Sequence, residues 1–172
     1  MSDRPAAGQP LATHPPPYAL RPALIGDLDL TYAITVDAMR DYSLQAWGVW
    51  DDAEQREKHR RNFTLSTHRI ASCRGSTAGL LAVEEHPDHL WLVKLYLLRS
   101  HRQQGLGTLL LQQVIHEAAL LGKPVRLRVL RVNDAAQRLY FRHGFTVADE
   151  AADRLFLVRG ERAPSLTVVN HG

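Results

Sequence analysis

The sequence is poor in cysteine and has no long apolar run. Cys73 is its only cysteine, so no internal disulfide can form and no cysteine-based zinc site can be built. No apolar stretch approaches the ~20 residues that a membrane span needs, and the first residues lack the apolar segment of a secretory signal. These absences argue against a disulfide-stapled or membrane-spanning protein and lead us to expect a cytoplasmic one.

Lysine is also scarce: the only lysines are Lys58, Lys94 and Lys123, and arginine supplies most of the net charge of +3. A basic balance can indicate nucleic-acid binding, but these arginines are scattered rather than clustered with aromatic residues. We therefore expect no nucleic-acid partner. The nine histidines show no metal-ligand spacing, and His86-x-x-His89 flanks a predicted turn, so we also expect no metal.

The composition divides the chain into one domain and two terminal segments. Residues 1–17 are rich in Pro, Ala and Gly and too poor in apolar residues to build a core, so we predict a flexible segment. A chain of 172 residues otherwise has the length of a single domain. We place that domain at residues 18–160 and predict that residues 161–172 form a loose tail.

Hydrophobic periodicity and turn residues predict a mixed α/β domain with the order strand, two helices, three strands, helix, strand, helix, two strands. We expect Asp27 to cap the first helix, and an aromatic-rich segment over residues 41–50 to interrupt it before the second helix opens at Asp51. The alternation over Leu90–Leu98 predicts a strand, and the apolar stripe over Thr108–Leu121 predicts a helix.

The segment between that strand and that helix, Arg102-Gln103-Gln104-Gly105-Leu106-Gly107, carries the strongest functional signal. A glycine-rich turn that opens a helix presents free backbone N–H groups, and the helix dipole adds to them, so the segment suits a phosphate or pyrophosphate. Gly105 and Gly107 are expected to allow positive φ and close approach of a ligand. The segment is not a Walker-type loop, since it lacks Gly-Lys-Ser/Thr. It also fails the dinucleotide fingerprint, whose third glycine would fall at Leu110.

A second motif lies about thirty residues downstream, over residues 131–145. Together the two segments resemble the Arg/Gln-x-x-Gly-x-Gly/Ala and Asn-x-x-Ala-x-x-Leu-Tyr-x-x-x-Gly-Phe motifs of the GNAT superfamily of N-acetyltransferases. The matching residues of the second motif are Asn133, Ala136, Leu139, Tyr140, Gly144 and Phe145. The resemblance covers about Tyr18 to Arg159 and is strongest from Leu90 to Val147.

The resemblance implies a fold and an activity. The fold would be a mixed, mostly antiparallel sheet flanked by helices, and it would splay into a V-shaped cleft where the pantetheine arm of acetyl-CoA completes the open edge. The activity would be transfer of an acetyl group from acetyl-CoA to a primary amine of a small molecule or peptide, in a ternary complex, by a monomer or homodimer. The alternative is an acetyl-CoA-binding sensor without turnover.

The same resemblance implies which residues would bind acetyl-CoA. The main chain after the predicted strand would hold pantetheine, the N–H of Leu97 would stabilise the oxyanion, and the glycine loop would hold the pyrophosphate. Asn133 is interpreted both as a helix cap and as a cofactor contact. The expected cofactor-binding residues are Leu97, Leu98, Arg99, Arg102, Gln103, Gln104, Gly105, Leu106, Gly107, Thr108, Asn133 and Tyr140.

Tyr140 matches the tyrosine that protonates the departing thiolate in the family. A phenol has a pKa near ~10, so it keeps its proton at neutral pH and can act as a general acid. The alternative is that Tyr140 only forms a wall of the groove.

The general base is not obvious. Some relatives carry a glutamate or histidine on the strand before the loop, but the corresponding positions here are Trp91 and Val93, which cannot take a proton. Glu84 and Glu85 are the candidates, acting through water, or else they are solvated carboxylates at the end of a strand. Asp41 is a weaker third candidate.

The acceptor pocket is expected between the first two helices, near the mouth of the cleft. Its predicted lining is aromatic: Tyr42, Trp47, Trp50 and Trp91. Core packing is the alternative role for these rings. An aromatic wall is compatible with an apolar amine, a peptide N-terminus or a drug-like amine, and it does not choose among them.

Overall fold

The computed structural model describes residues 17–160. The predictions for residues 1–16 and for residues 161–172 lie outside the described residues. Within residues 17–160, none of the helices is both long and apolar enough to cross a membrane.

The described residues form seven strands and four α-helices, in the order that the sequence predicts. The strands are β1 Tyr18–Pro22, β2 His68–Cys73, β3 Ser76–Glu85, β4 Leu90–Leu97, β5 Val125–Leu130, β6 Thr146–Glu150 and β7 Arg154–Arg159. The helices are α1 Leu28–Trp47, α2 Asp52–Asn62, α3 Leu106–Leu121 and α4 Asp134–Arg142.

All seven strands lie in one sheet of order β1-β2-β3-β4-β5-β7-β6. Neighbouring strands are antiparallel except β4 and β5, which are parallel and joined by the α3 crossover. The predicted mixed, mostly antiparallel α/β fold is therefore confirmed. The β4–β5 pairing covers only Leu90–Leu92 and Val125–Leu127. Beyond Leu92 the two strands part and leave a gap, which is the V-shaped cleft of the prediction.

The main core lies between the sheet and α3. Leu110, Leu111 and Val114 of α3 are completely buried, and Leu127 and Leu157 of the sheet are each 1% exposed. Burying side chains of this size stabilises the fold by roughly 1.5–3 kcal/mol each. This packing fixes β4, α3 and β5 relative to one another and so sets the geometry of the gap.

The first helix differs from its prediction at both ends. Because no glycine or proline interrupts residues 41–47, α1 continues through the aromatic segment and ends at Gly48, whose φ is +72° and whose N–H donates to Leu44 O. Asp27 occupies the N-cap position of α1 as expected, but its side chain makes no capping bond. Its carboxylate instead accepts bonds from the Arg21 guanidinium and from the Leu24 N–H.

Candidate active site

The edge of β4 that faces the gap offers free backbone groups. The carbonyl of Leu97 accepts from Arg102 Nε at 3.0 Å, whereas the N–H of Leu98 donates to Ala78 O of β3 at 2.9 Å. Successive backbone groups of a strand point in opposite directions. The N–H of Leu97 therefore points away from β3 and into the gap, and the N–H of Leu95 points the same way.

Only one of the three predicted main-chain donors is free. The N–H of Leu98 is bound to Ala78, and the N–H of Arg99 donates to Asp37 Oδ2 at 2.9 Å. The N–H groups of Leu98 and Arg99, whose main chain was predicted to hold pantetheine, therefore already have partners in the protein. Leu97 keeps its predicted place at the gap.

The glycine loop begins directly after this edge and presents a row of unbonded N–H groups. The first backbone bond of α3 runs from Leu109 N to Gly105 O, so the donors before it have no intrahelical acceptor. Within the described part of the chain, no backbone carbonyl accepts from the N–H groups of Gln103, Gln104, Gly105, Leu106, Gly107 or Thr108. This arrangement at the positive end of α3 suits a phosphate group.

The two glycines of the loop have different roles. Gly105 has a φ of +82° and is the N-cap of α3, as predicted. Gly107 lies inside the first turn of α3 without a positive φ, so that prediction is wrong. A Cβ at Gly107 would lie 3.6 Å from Leu97 Cδ1 and from Leu139 Cδ2. Gly107 therefore keeps open the crevice between the end of β4 and α4.

The guanidinium of Arg102 points back into the protein. It donates to Leu97 O at 3.0 Å and to Asp37 O of α1 at 3.1 Å. Arg102 therefore ties the loop to β4 and α1, instead of directing its charge toward a phosphate as we expected.

Two tyrosines flank the gap from opposite faces of the sheet. Tyr140 of α4 is 7% exposed and packs on Phe145, with ring centroids 5.6 Å apart, on the face that α3 covers. Tyr96 of β4 shares the other face with Lys94. Burial raises the pKa of Tyr96 to about 12 and raises the pKa of Tyr140 further, with Tyr96 adding to the shift of Tyr140. Both phenols therefore keep their protons at neutral pH.

Asn133 is the N-cap of α4. Its Oδ1 accepts from the Ala136 N–H at 3.1 Å. The amide nitrogen of the same side chain forms no bond with another described residue, so the cap leaves it available to a ligand.

The comparisons with known proteins agree with this geometry. The model of the acetyltransferase (GNAT) family matches residues 32–145, which include β4, the glycine loop and α4. The chain belongs to this acetyltransferase family. It is therefore an acyltransferase by family. No curated protein matches the sequence significantly.

Solved N-acetyltransferases share the fold. The PaiA N-acetyltransferase of Thermoplasma acidophilum, in complex with coenzyme A, is 16% identical with a TM-score of 0.66, over 83% of this chain and 98% of that one. The ribosomal-protein-S18-alanine N-acetyltransferase of Escherichia coli is 20% identical with a TM-score of 0.65, over 87% of this chain and 98% of that one. Ard1 of Thermoplasma volcanium is 19% identical with a TM-score of 0.60, over 83% and 97%.

The structure does not support the carboxylates that the sequence suggested as bases. Glu84 is paired in register with Trp91, at the closed end of the gap. The six residue steps from Trp91 to Leu97 span roughly 20 Å, which is too far for direct proton transfer. Glu84 also contacts His86 Nε2 at 3.3 Å, and Glu85 is held by Lys123 Nζ at 2.7 Å on the α3 face.

The third candidate base is also engaged. Asp41 of α1 forms an ion pair with the Arg99 guanidinium, and Asp37 contacts the same side chain at 3.7 Å. These contacts fasten α1 to the end of β4.

The structure places two of the four predicted pocket aromatics, Trp47 and Trp91, apart from each other. The Trp47 Nε1–H donates to Asp153 Oδ2 at 3.1 Å near β7, while Trp91 lies beside His89 at the closed end of the gap. No ring contact joins any two of the four predicted aromatics in the described residues. The groove between α1 and α2, of about 620 Å³, is mostly acidic instead. Its lining is Asp29, Tyr32, Ala33, Val36, Asp37, Asp52 and Arg56.

A buried polar chain joins α1 and α2 to β4. Lys94 Nζ lies 3.4 Å from His59 Nδ1, and His59 Nε2 lies 2.9 Å from Thr31 Oγ1. Thr31 Oγ1 donates to Leu28 O, so the His59 Nε2–H donates to Thr31 and Nδ1 accepts from Lys94. Burial lowers the pKa of Lys94 to about 8 and that of His59 to about 4. The imidazole is therefore neutral at pH 7.

Sequence reasoning missed several residues of this region. Tyr96 and Lys94 face α1 because β4 carries a bulge at Val93, where the register with β3 shifts between Ala82 and Val83. A one-residue bulge changes which side chains share a face, and alternation counted from the sequence does not reveal it. Gly79 was missed as well: a Cβ there would lie 2.2 Å from Tyr96 O, so only glycine allows β3 to approach β4 at that point.

Proposed function

We propose that this acetyltransferase moves the acetyl group of acetyl-CoA to a primary amine of a small molecule or peptide, by direct attack within a ternary complex. The observation that carries the proposal is the unpaired edge of β4, which runs straight into a loop of six unbonded N–H groups. The bound coenzyme A of the PaiA N-acetyltransferase, which shares the fold, supports the choice of donor.

The residues present fit a coenzyme A thioester. The N–H groups of residues 103–108 would hold the pyrophosphate at the positive end of α3. The free edge of β4 would bond to the extended pantetheine arm as a neighbouring strand does. Gly107 leaves the crevice beside Leu97 and Leu139 open for that arm. When bound, the thioester supplies the activated acetyl group.

The side chains and backbone then act on the transfer. As the amine nitrogen bonds to the acetyl carbon and the carbon–sulfur bond breaks, the N–H of Leu97, or that of Leu95 beside it, donates to the carbonyl oxygen that gains negative charge. Tyr140 gives its proton to the departing sulfur. We assign the surplus proton of the amine to solvent, because Glu84, Glu85 and Asp41 are held by other groups.

A screen for release of free coenzyme A tests the proposal. The purified protein would be mixed with acetyl-CoA and a panel of primary amines and peptides, and free thiol and acetylated product would be measured together. We expect equal amounts of thiol and acetyl-amine with at least one acceptor class, and a strongly reduced rate for Tyr140→Phe. Binding of acetyl-CoA without transfer to any amine would contradict the proposal and would indicate the sensor function instead.

A further inference from the structure

The face of β5 opposite the core carries an arginine at the mouth of the gap. Val125, Leu127 and Val129 are buried in the core on the α3 face. Since side chains of a strand alternate between faces, Arg128 points to the other face. It lies one residue beyond Leu127, the last residue of β5 that pairs with β4, and so stands where the two strands begin to part.

Arg128 has no anionic partner among residues 17–160. It is exposed, and it forms no hydrogen bond or ion pair with another described residue. Nearby arginines on the same arm of the sheet are paired: Arg126 lies 3.7 Å from Asp88, Arg131 contacts Glu150, and Arg154 contacts Asp153 at 2.7 Å. An arginine left unpaired among paired ones is available to an anion from outside.

The surroundings of Arg128 make this a site rather than a lone surface charge. Arg128 is in register with the half-buried Phe156 of β7. Its charge acts on the phenol of Tyr96 across the gap and opposes the rise of that pKa. Because β5 lies between β7 and β4 in the sheet, Arg128 is placed between Phe156 and the edge of β4 that we propose binds the thioester.

The charge at the mouth also favours an anion. At the end of β4, Arg99 and Arg102 are balanced by Asp37 and Asp41, which contact them. Arg128 adds a positive charge that these contacts do not offset.

We infer that Arg128 binds a carboxylate of the acceptor, so that the acceptor is an amine that also carries an acidic group. The planar guanidinium matches a carboxylate in a two-bond contact. The carboxylate comes either from the α-carboxyl of an amino acid or from an acidic side chain near a peptide N-terminus. The inference rests on the proposed function, because it assumes that the amine reaches the thioester at β4.

The test compares acceptors that differ only in the acid. One set pairs leucine and phenylalanine with leucinamide and phenylalaninamide. The other set pairs peptide amides that begin Ala-Asp or Ala-Glu with those that begin Ala-Asn or Ala-Gln. kcat/KM is measured with saturating acetyl-CoA for the natural protein, for Arg128→Gln and for Arg128→Glu. The control is Arg61→Gln, an exposed arginine on α2.

We expect the ratio of kcat/KM for acid over amide to fall about tenfold or more in Arg128→Gln, as for loss of a charge-assisted hydrogen bond. The ratio should fall further in Arg128→Glu and stay unchanged in Arg61→Gln, with the same acetyl-CoA affinity throughout. Because the ratio is compared between proteins, differences in amine basicity cancel. The set that shows the effect identifies the source of the carboxylate. Equal ratios in the natural protein and Arg128→Gln would overturn the inference.

Equilibrium binding of the same probes to the protein saturated with coenzyme A separates this inference from the proposed function. Binding of the acids that Arg128→Gln weakens, without transfer to any amine, would support the carboxylate site and contradict the transferase proposal. Transfer to the amines with equal rates and equal binding for acid and amide probes would support the transferase proposal and contradict the carboxylate site.

Discussion

The two sides of the gap differ in the groups they present: backbone on one side and side chains on the other. The side formed by β4 and the glycine loop presents backbone groups: the N–H of Leu97 and those at the start of α3. The side formed by α1, β5 and β7 presents side chains, such as Asp41, Arg128 and Phe156, that come from segments far apart in the sequence. A backbone site needs only a short run of permissive residues, whereas a side-chain site needs the whole fold. This difference explains why the first was predictable and the second was not.

The largest expected effect tests whether the two phenols at the gap differ in role. Tyr140→Phe should leave acetyl-CoA affinity unchanged and lower turnover roughly 10²- to 10⁴-fold, the range for loss of a general acid, if thiolate departure limits the rate. Tyr96→Phe is the matched variant, because burial raises the pKa of both. Turnover with saturating acetyl-CoA and a confirmed acceptor checks this. Unchanged turnover in Tyr140→Phe would leave Tyr140 as a wall of the groove.

The next effect tests the backbone side alone. Acetyl-CoA at a hundred times its Kd should stabilise the protein by about 2.7 kcal/mol, and Gly107→Val should abolish this because the side chain fills the crevice between Leu97 and Leu139. Thermal unfolding with and without acetyl-CoA measures the difference. Gly26→Val is the control, since nothing lies near a Cβ at Gly26. Equal ligand-induced shifts in Gly107→Val and the natural protein would refute the loop assignment.

A third effect is the pH dependence of stability, which comes from the buried histidines that join α2 and β2 to the rest of the fold. The pKa values of His59 and His68 fall to about 4 because burial disfavours the charged ring, and Lys94 adds to both shifts. A lowered pKa means that the unfolded state binds more protons between pH 6.5 and pH 4, so stability must fall as pH falls through that window. From pH 7 to pH 5 we expect a loss of about 2 kcal/mol per histidine.

Urea unfolding at pH 7, 6 and 5 checks this expectation. His68 is the better position for a variant, because its Nε2 has no partner and its Nδ1–H donates to Thr64 O at 3.0 Å. His68→Gln keeps a donor and should flatten the pH dependence by about half. A natural protein whose free energy of unfolding is the same at pH 7 and pH 5 would contradict the pKa values.

The smallest effect separates the two roles of Asn133. Asn133→Asp keeps an oxygen that can accept from the Ala136 N–H, and so keeps the ~1 kcal/mol of the cap, but it sets a negative charge against the bound phosphates. We expect unchanged stability and weaker acetyl-CoA binding. Asn133→Ala should lower both the stability and the affinity for acetyl-CoA, as measured by urea unfolding and by cofactor titration. If Asn133→Asp binds acetyl-CoA normally, Asn133 is a cap and nothing more.

The sequence predicted the order of the elements and the mixed sheet because apolar periodicity and turn residues are local signals. It also predicted the glycine turn that opens α3 and the cap by Asn133. It placed the end of α1 too early, because aromatic residues at 41–50 looked like an interruption although no helix breaker precedes Gly48. It gave Gly107 a positive φ, whereas Gly107 lies in the first turn of α3 without one.

The acceptor side shows the limit of prediction from sequence. Trp47 and Trp91 were both predicted to line the acceptor pocket, but the fold places Trp91 beside Glu84 at the closed end of the gap and Trp47 beside Asp153 near β7. The bulge at Val93 turns Lys94 and Tyr96 toward α1, and no local pattern marks a bulge. The unpaired state of Arg128 depends on which carboxylates the other arginines find, which the linear sequence does not contain.

By itself, the sequence determined the glycine loop, the helix starts and the strands, since each depends on residues within a few positions of one another. Only the tertiary structure decided which side chains share a face, which charges are already paired, and where β4 and β5 part. Those features arise from contacts between residues far apart in the chain: Arg99 with Asp41, Trp47 with Asp153, and Lys94 with His59. Packing between distant segments sets such contacts, and a local sequence pattern does not encode them.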